Sequence, residues 1–314
     1  MENIFRKKWM VVCTAVFCSV LWGSAFPVLK VSYDELQMAQ DDTIAKIVFA
    51  GVRFLLAGLI LLAGLLIFNR DRLRVTGKQF MFLIIFGIIQ TALQYYFFYN
   101  GLARVSGMQG AILISSGTFF TIVLAHFFYS DDRITAKKAF GLIAGFAGIV
   151  AANWGQDFEL SFRFTAEGFM LLAALTSSIG TIMAKELAVG IHPFTLTGWQ
   201  LTIGASLMLM IGVPQLGDHA ITFTPLGWGL LLYAALLSTT AFALWYSILK
   251  FNKAGEISMF KFITPVSGVI LSAIFIPGER LTVKIMGALM LVAIGIIAVN
   301  YTGARRRSRG MRRS

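Results

Sequence analysis

The chain has 314 residues, of which 57% are hydrophobic and only 13% are charged. A soluble globular protein carries about 25% charged residues, so this chain has too few for a surface that faces water on all sides, and a soluble enzyme is excluded. The net charge of +12 does not indicate nucleic-acid binding, because the basic residues form short clusters between apolar runs, where they set membrane topology.

Apolar runs recur along the whole chain at the length that a helix needs to cross the hydrocarbon core of a bilayer, about 20 residues. We predict ten transmembrane helices at about 9–31, 44–68, 79–103, 106–129, 136–153, 165–188, 195–214, 226–250, 255–277 and 282–302. Helices are expected because backbone amides inside lipid must be hydrogen-bonded, and the short alternating segments of a barrel do not occur. The predicted fold class is therefore all-α integral membrane.

The first apolar run follows Arg6, Lys7 and Lys8, as the core of a signal peptide would. The run is too long for a typical signal peptide and further spans follow it, so we expect a retained first helix. Cys13 and Cys18 lie inside this run and are expected to be small apolar fillers, not a disulfide framework or a zinc site.

The distribution of basic residues predicts the orientation of the spans. Nineteen of the 27 basic residues fall in segments that are cytoplasmic if the N-terminus is inside, and six fall in segments on the other side. Basic residues concentrate in cytoplasmic loops, so both chain ends are predicted to be cytoplasmic, in a multi-pass protein of the cell membrane. The basic tail at 303–314 is then close to anionic lipid headgroups.

The chain shows weak self-similarity at a shift of about 147 residues. Under this shift Arg133 falls on Arg280, and Arg53 falls on Gln200. The repeated unit contains five spans, which is an odd number, so the second copy enters the membrane from the opposite side. Two inverted five-helix repeats are the construction of many secondary transporters, whose substrate site lies near the midplane where the halves meet.

Several short motifs have the order and spacing of a known membrane module. They are Leu21-Trp22-Gly23-Ser24-Ala25-Phe26 at its opening, Val52-Arg53-Phe54 and Trp199-Gln200 in its second helix, and Pro265, Gly278-Glu279-Arg280-Leu281-Thr282 and Gly287 near its ending. On these residues the chain resembles the EamA branch of the drug/metabolite transporter superfamily, with modules at 9–152 and 165–302. The resemblance implies ten helices in two inverted halves, and export or exchange of amino acids, related metabolites and other small solutes.

Ionisable groups deep in a bilayer are costly, so each one is a candidate for a functional role. Arg53 is expected to bond carbonyl oxygens of a neighbouring helix, with contact to the substrate or a gate as the alternative. Lys261, one turn before Pro265, either reaches the cytoplasmic surface or points into a cavity, where it can bind a carboxylate or phosphate. His126 is expected at the membrane interface, with proton transfer as the alternative.

Polar and aromatic side chains inside the spans predict a substrate site. Gln90 and Gln94 share a face of the third span at positions i and i+4. Buried amides and hydroxyls need partners, which are neighbouring helices, water or a substrate, so bonding between helices is the alternative role. The predicted substrate-binding residues are Trp22, Arg53, Gln90, Gln94, Tyr95, Tyr99, Ser115, Thr118, Ser177, Thr181, Thr239, Trp245, Tyr246, Lys261 and Pro265.

All fifteen acidic residues lie in loops or at helix ends, so transport is predicted to be facilitated diffusion or exchange and not obligatory proton antiport. The expected partners are lipid and a small solute, such as a zwitterionic, partly aromatic amino acid. The alternatives are a channel, a scaffold, or an intramembrane acyltransferase-type enzyme. The only support for the enzyme is the spacing of His126 and Asp131. No metal, cofactor or catalytic residue is predicted, and without a G-x-x-x-x-G-K-[ST] loop the chain is not an ATP-driven pump.

Overall fold

The computed structural model describes residues 4–39, 42–105, 107–152, 162–218 and 220–276, and the single helical positions Gly287, Met290, Leu291 and Ile294. Throughout these residues every regular element is helical and no strand is formed. The α-helices are α1 (Lys8–Glu35), α2 (Thr43–Phe68), α3 (Gly77–Gly87), α4 (Gln94–Leu102), α5 (Gly107–Phe128), α6 (Ala136–Ala152), α7 (Phe169–Gly190), α8 (Pro193–Gly212), α9 (Pro225–Phe251), α10 (Ala254–Ser258) and α11 (Ile263–Phe275). The predicted all-helical character is confirmed for this part of the chain.

Seven helical stretches in the described residues are long and apolar enough to cross a membrane. They are Lys8–Glu35, Thr43–Phe68, Gly77–Leu102, Phe164–Gly190, Pro193–Gln215, Pro225–Phe251 and Ala254–Phe275. Their bounds agree with seven of the predicted spans to within a few residues, and the protein is an integral membrane protein. The fourth and fifth predicted spans correspond to α5 and the 17-residue α6. The tenth, at 282–302, lies almost wholly outside the described residues, so the number of ten spans stays a prediction.

Capping side chains in the connecting turns fix where three of the spans begin. The Asp42 carboxylate accepts a hydrogen bond of 2.8 Å from the first turn of α2. Thr76 and Gln79 form a reciprocal capping box at the start of α3, and the Thr224 hydroxyl accepts from the first turn of α9 at 3.0 Å. These bonds satisfy amide groups that the first helical turn leaves without partners.

Two of the membrane-crossing stretches depart from the regular α-helix in their interior, in addition to short π-helical or 3-10 turns at one end of two others. A π-helical segment, Ile88–Leu93, lies between α3 and α4, and a 3-10 turn, Met259–Phe262, lies between α10 and α11. Pro265, in the first turn of α11, cannot donate to the carbonyl group of Lys261, which explains why the regular helix begins only after this turn. Such interruptions often occur at functional sites, and the two segments contain Gln90 and Lys261.

Glycines allow the main helix pairs to approach closely. A Cβ atom added at Gly58 of α2 would lie 2.4 Å from Oγ1 of Thr202 in α8, and one added at Gly23 of α1 would lie 2.0 Å from Oγ of Ser267 in α11. Both distances are far below van der Waals contact, so these positions accept no side chain without a shift of the backbone. Small residues at helix contacts are typical of membrane proteins. Here they bring helices of both halves of the sequence together around one central space.

Candidate functional site

A central cavity of about 230 Å³ lies between helices that come from both halves of the sequence. Its walls are formed by α1, α2, α4, α5, α7, α9 and α11, by the π-helical segment and by the 3-10 turn. Sites for drug-sized molecules are usually about 300–1,000 Å³. This cavity is therefore of a size for a small metabolite.

The structure brings fourteen of the fifteen predicted substrate-binding residues to this cavity. They are Trp22, Arg53, Gln90, Gln94, Tyr95, Tyr99, Ser115, Thr118, Ser177, Thr181, Trp245, Tyr246, Lys261 and Pro265. Thr239 is not part of the described lining. Its hydroxyl donates a hydrogen bond of 3.1 Å to the carbonyl oxygen of Ala57 and so joins α9 to α2. Whether the fourteen residues bind a solute stays a prediction.

Lys261 lies in the cavity wall. Its Nζ atom donates to Oγ1 of Thr181 at 3.2 Å and lies 5.4 Å from the centre of the Trp245 ring. The proton of the Thr181 hydroxyl is donated to the carbonyl oxygen of Ser177 at 2.9 Å, so its oxygen is the acceptor for the ammonium group. Of the two positions that the sequence left open for Lys261, the cavity is the one observed.

Arg53 is the second cation of the lining, and only 4% of its surface is exposed. Its guanidinium group lies 4.1 Å above the ring of Phe54. Within the part of the chain that the structure describes, its Nε atom has no hydrogen-bond partner. The carbonyl oxygen expected for Arg53 is therefore not found at Nε, and the guanidinium group packs against the aromatic ring of Phe54.

Tyr246 has a structural bond in addition to its place in the lining. Its hydroxyl donates to Oε1 of Gln200 at 3.0 Å, and Nε2 of Gln200 donates to Oγ1 of Thr91 at 2.7 Å. This chain of bonds joins α9, α8 and the π-helical segment behind the cavity wall. The Tyr246 hydroxyl is thus engaged with protein, and the nearly buried side chain borders the cavity.

Gln90 and Gln94 each have a buried amide oxygen without a hydrogen-bond partner among the described residues. Gln90 lies directly against Gly180 of α7, where an added Cβ atom would come within 1.5 Å of the amide oxygen. An unpaired buried polar atom costs about 1–3 kcal/mol. The two amide oxygens are therefore acceptors for which the described residues supply no donor.

Apolar lining residues were missed by the sequence analysis. They include Phe26, Phe98, Phe242 and Phe262. Nothing in the sequence separates a phenylalanine that faces a cavity from one that faces lipid, because both surroundings are apolar.

A partly buried ionic cluster joins the α5–α6 turn to the start of α10. We call Asp131, Asp132, Lys138, Lys253 and Gly255 the junction cluster. The Asp132 side chain is completely buried, forms an ion pair with Lys138 and accepts a 2.8 Å bond from the backbone N–H of Gly255. Lys253 forms an ion pair with the exposed carboxylate of Asp131.

The sequence analysis did not single out Asp132, because acidic residues in loops are normally exposed. A signal was nevertheless present in the repeat. With Arg133 on Arg280, Asp132 falls on Glu279 of the Gly-Glu-Arg motif, and Glu279 lies outside the described residues.

The same turn holds further polar contacts. Nδ1 of His126 accepts a hydrogen bond of 3.2 Å from the backbone N–H of Ile134, which fits its expected place at the end of a span. The Tyr129 hydroxyl donates to Glu186 at 2.7 Å, and burial together with this carboxylate raises the pKa of Tyr129.

Comparison with known proteins identifies the class of protein. Residues 9–154 and 165–301 match the model of the EamA-like transporter family. The chain belongs to this family, within the drug/metabolite transporter superfamily, and it is a membrane transporter.

Three relatives illustrate the similarity. The chain is 26% identical over 293 residues to the uncharacterized transporter YvbV of Bacillus subtilis, covering 90% of this chain and 89% of the relative. It is 25% identical over 150 residues to the uncharacterized transporter sll0355 of Synechocystis, covering 47% and 44%. It is also 25% identical over 182 residues to a chloroplastic WAT1-related protein of Arabidopsis thaliana, covering 52% and 41%.

A solved crystal structure shares the fold. It superposes with a TM-score of 0.76, covering 93% of this chain and 96% of that chain, at 14% sequence identity. At this identity the likeness concerns the fold alone.

Proposed function

We propose that the protein is a secondary transporter that exports or exchanges small metabolites, such as amino acids, across the cell membrane. In this proposal the modules at 9–152 and 165–302 are inverted five-helix repeats, and both chain ends, including the basic tail at 303–314, are cytoplasmic. The two halves move around the central cavity, so that the cavity opens to one side of the membrane at a time. No ATP is consumed.

The observation that carries this proposal is the composition of the cavity wall. Polar and aromatic side chains from helices distant in sequence face one space of about 230 Å³. Amide, hydroxyl, aromatic and ammonium groups together are able to replace the hydration of a small polar solute. Purely structural contacts between helices would leave no such space between them.

The surroundings of the acidic residues support facilitated diffusion or exchange over obligatory proton antiport. Neither Asp nor Glu occurs among the described lining residues of the cavity. The buried carboxylate of Asp132 is engaged with Lys138 and with Gly255, in the junction cluster and not in the lining. A proton-coupled carrier usually needs a carboxylate that the solute and the proton occupy in turn.

Counterflow in proteoliposomes tests the proposal. Vesicles loaded with unlabelled amino acids should accumulate the labelled amino acid transiently. We expect Gln94→Ala and Lys261→Ala each to lower the initial rate by about tenfold, which corresponds to the loss of one or two polar contacts. Met210→Ala, at a position of α8 that is 73% exposed, is the matched control and should leave the rate unchanged. Unchanged kinetics in both cavity variants would remove these residues from the site.

Two further results would overturn the assignment itself. Ohmic single-channel currents in planar bilayers would favour a channel over a carrier. Accessible tags on opposite sides of the membrane for the two chain ends would contradict an even number of spans and the inverted repeat.

A further inference from the structure

Arg53 and Lys261 place two positive charges in the cavity lining, and the described lining contains no Asp or Glu to balance them. Both side chains lie within membrane-crossing helical stretches. Neither of them forms an ion pair with any carboxylate that the structure describes. A charged group in the low-dielectric interior of a membrane protein is costly unless an opposite charge is close.

The partners of Lys261 leave most of its ammonium group available. In the described residues the three protons of Nζ meet one oxygen acceptor, the Thr181 hydroxyl at 3.2 Å. The indole ring of Trp245, at 5.4 Å from Nζ, offers a weak cation–π attraction. A neutral hydroxyl and an aromatic face compensate a full positive charge only in part.

Two other lysines of the protein do have carboxylate partners. Lys138 is buried and forms an ion pair with Asp132, and Lys253 forms an ion pair with Asp131. The fold thus supplies counter-charges at the junction cluster and supplies none in the described cavity wall. The difference indicates that the negative charge that balances Lys261 and Arg53 is carried by the solute.

We propose that the solute carried in this cavity is a small organic acid with a net negative charge, whose carboxylate binds Lys261. This inference rests on the transport function proposed above. Arg53 adds a second positive charge to the same enclosed space, so a carboxylate is attracted and a separate ammonium group is repelled. The ring of Trp22, which packs at a tilt against the buried ring of Trp245 with centres 5.1 Å apart, offers an apolar surface for the remainder of the solute.

The inference ranks solutes of equal shape by charge. A 2-hydroxy acid carries a carboxylate and a neutral hydroxyl, and the hydroxyl adds no charge that would need a counter-charge in the lining. The corresponding amino acid adds an ammonium group for which the described lining has no carboxylate, and the corresponding amine lacks the anion altogether. The expected order of affinity is therefore hydroxy acid, amino acid, amine.

Two matched series of solutes test this order. One consists of 3-phenyllactate, phenylalanine and phenethylamine, and the other of lactate, alanine and ethylamine. Each solute is added to the purified, full-length protein and the melting temperature is measured, since a ligand that binds the folded state raises it. We expect the acid of at least one series to bind about tenfold or more tighter than its amino acid, which corresponds to one unit of log Kd, and the amines to have no effect.

Variants at lysine positions separate charge from shape. Lys261→Gln should abolish the preference for the acid, and Lys261→Arg, which keeps the positive charge, should retain most of it. Lys250→Gln, which removes a basic residue at the end of α9 outside the described cavity lining, should behave as the wild type. The acid preference of Lys261→Gln is compared with that of Lys261→Arg. This comparison remains informative even if both variants are less stable than the wild type.

The outcomes distinguish this inference from the transport proposal. If no acid of either series stabilises the protein more than its amino acid and its amine, the inference is wrong, whether or not counterflow is seen. If acids are preferred but bilayers show ohmic currents, the charge preference stands and the carrier mechanism is wrong.

Discussion

Lys138 and Lys261 are both largely removed from water, but their surroundings differ. Lys138 lies against the Asp132 carboxylate in the junction cluster, whereas the oxygen closest to Lys261 in the described structure belongs to the Thr181 hydroxyl. In the first region the charge of Lys138 is neutralised by the fold, and the same carboxylate also binds the Gly255 amide of the distant α10. In the second region the described protein supplies no counter-charge for Lys261, so a bound solute is the group that can neutralise it. Burial of a cation alone therefore does not reveal its role, and the nature of its partner does.

The largest expected effect concerns Asp132. Asp132→Asn leaves Lys138 buried without a counter-charge, and loss of one partner of a buried ion pair costs about 3–5 kcal/mol. We expect a marked decrease of the melting temperature of the purified protein.

Asp131→Asn is the matched control for this change, because the Asp131 side chain is 70% exposed and exposed ion pairs contribute less than about 1 kcal/mol. Equal losses in the two variants would mean that the buried pair has no special importance.

The same substitution at the two lysines should affect the stability differently. Lys138→Met leaves the buried carboxylate of Asp132 unpaired and should lower the stability by about 3 kcal/mol. Lys261→Met removes a cation that has no described counter-charge, and should leave the stability unchanged or raise it by about 1 kcal/mol, while it decreases counterflow. Thermal unfolding of both variants in one detergent measures the difference. A similar loss at both positions would contradict the contrast drawn between the two regions.

A smaller effect is expected at Thr239, the predicted lining residue whose hydroxyl is bonded between helices. Thr239→Val removes the hydrogen bond to Ala57 and should cost about 1 kcal/mol of stability. Because the hydroxyl is not in the described lining, the apparent affinity for the solute should stay within about twofold of the wild type. A change of apparent affinity of about tenfold or more would place Thr239 in the site after all.

The smallest effect concerns pH and the turn next to the junction cluster. Burial and Glu186 raise the pKa of Tyr129, so the folded protein holds this proton more tightly than the unfolded chain does. The resulting stabilisation is complete below the unfolded pKa of about 10 and is lost as the pH rises above it. Tyr129→Phe should therefore cost about 0.5–1 kcal/mol at pH 7 and less at pH 11, as measured by unfolding at the two pH values. A cost that is constant with pH would contradict this.

The polar residues that the sequence singled out within apolar spans lie in the cavity lining, and their role in binding stays a prediction. Gln94 and Lys261 stand out because membrane helices contain few such side chains. The π-helical segment at Ile88–Leu93 could not be predicted, since its residues also suit a regular helix. The burial of Asp132 was missed for another reason: it depends on the Gly255 amide and on Lys138, which only the folded chain brings to it.

The bounds of the seven described membrane-crossing stretches were predicted closely for a simple physical reason. A helix such as α2 must be about as long as the bilayer is thick, and the polar residues that cap it, such as Asp42, lie at the water boundary. The position of a residue along the membrane normal can thus be predicted from the local sequence. The direction in which a side chain such as Phe98 points within the membrane cannot be predicted in this way, because it depends on neighbouring helices.

The close contact between Gly180 and Gln90 has a consequence for which solutes fit. Gly180 lies behind the amide of Gln90, so a methyl group at this position would force the amide forward, into the space that a solute occupies. The volume of the cavity thus depends partly on the absence of a Cβ atom at Gly180. A relative with alanine at this position would be expected to carry smaller molecules, even with every lining residue the same.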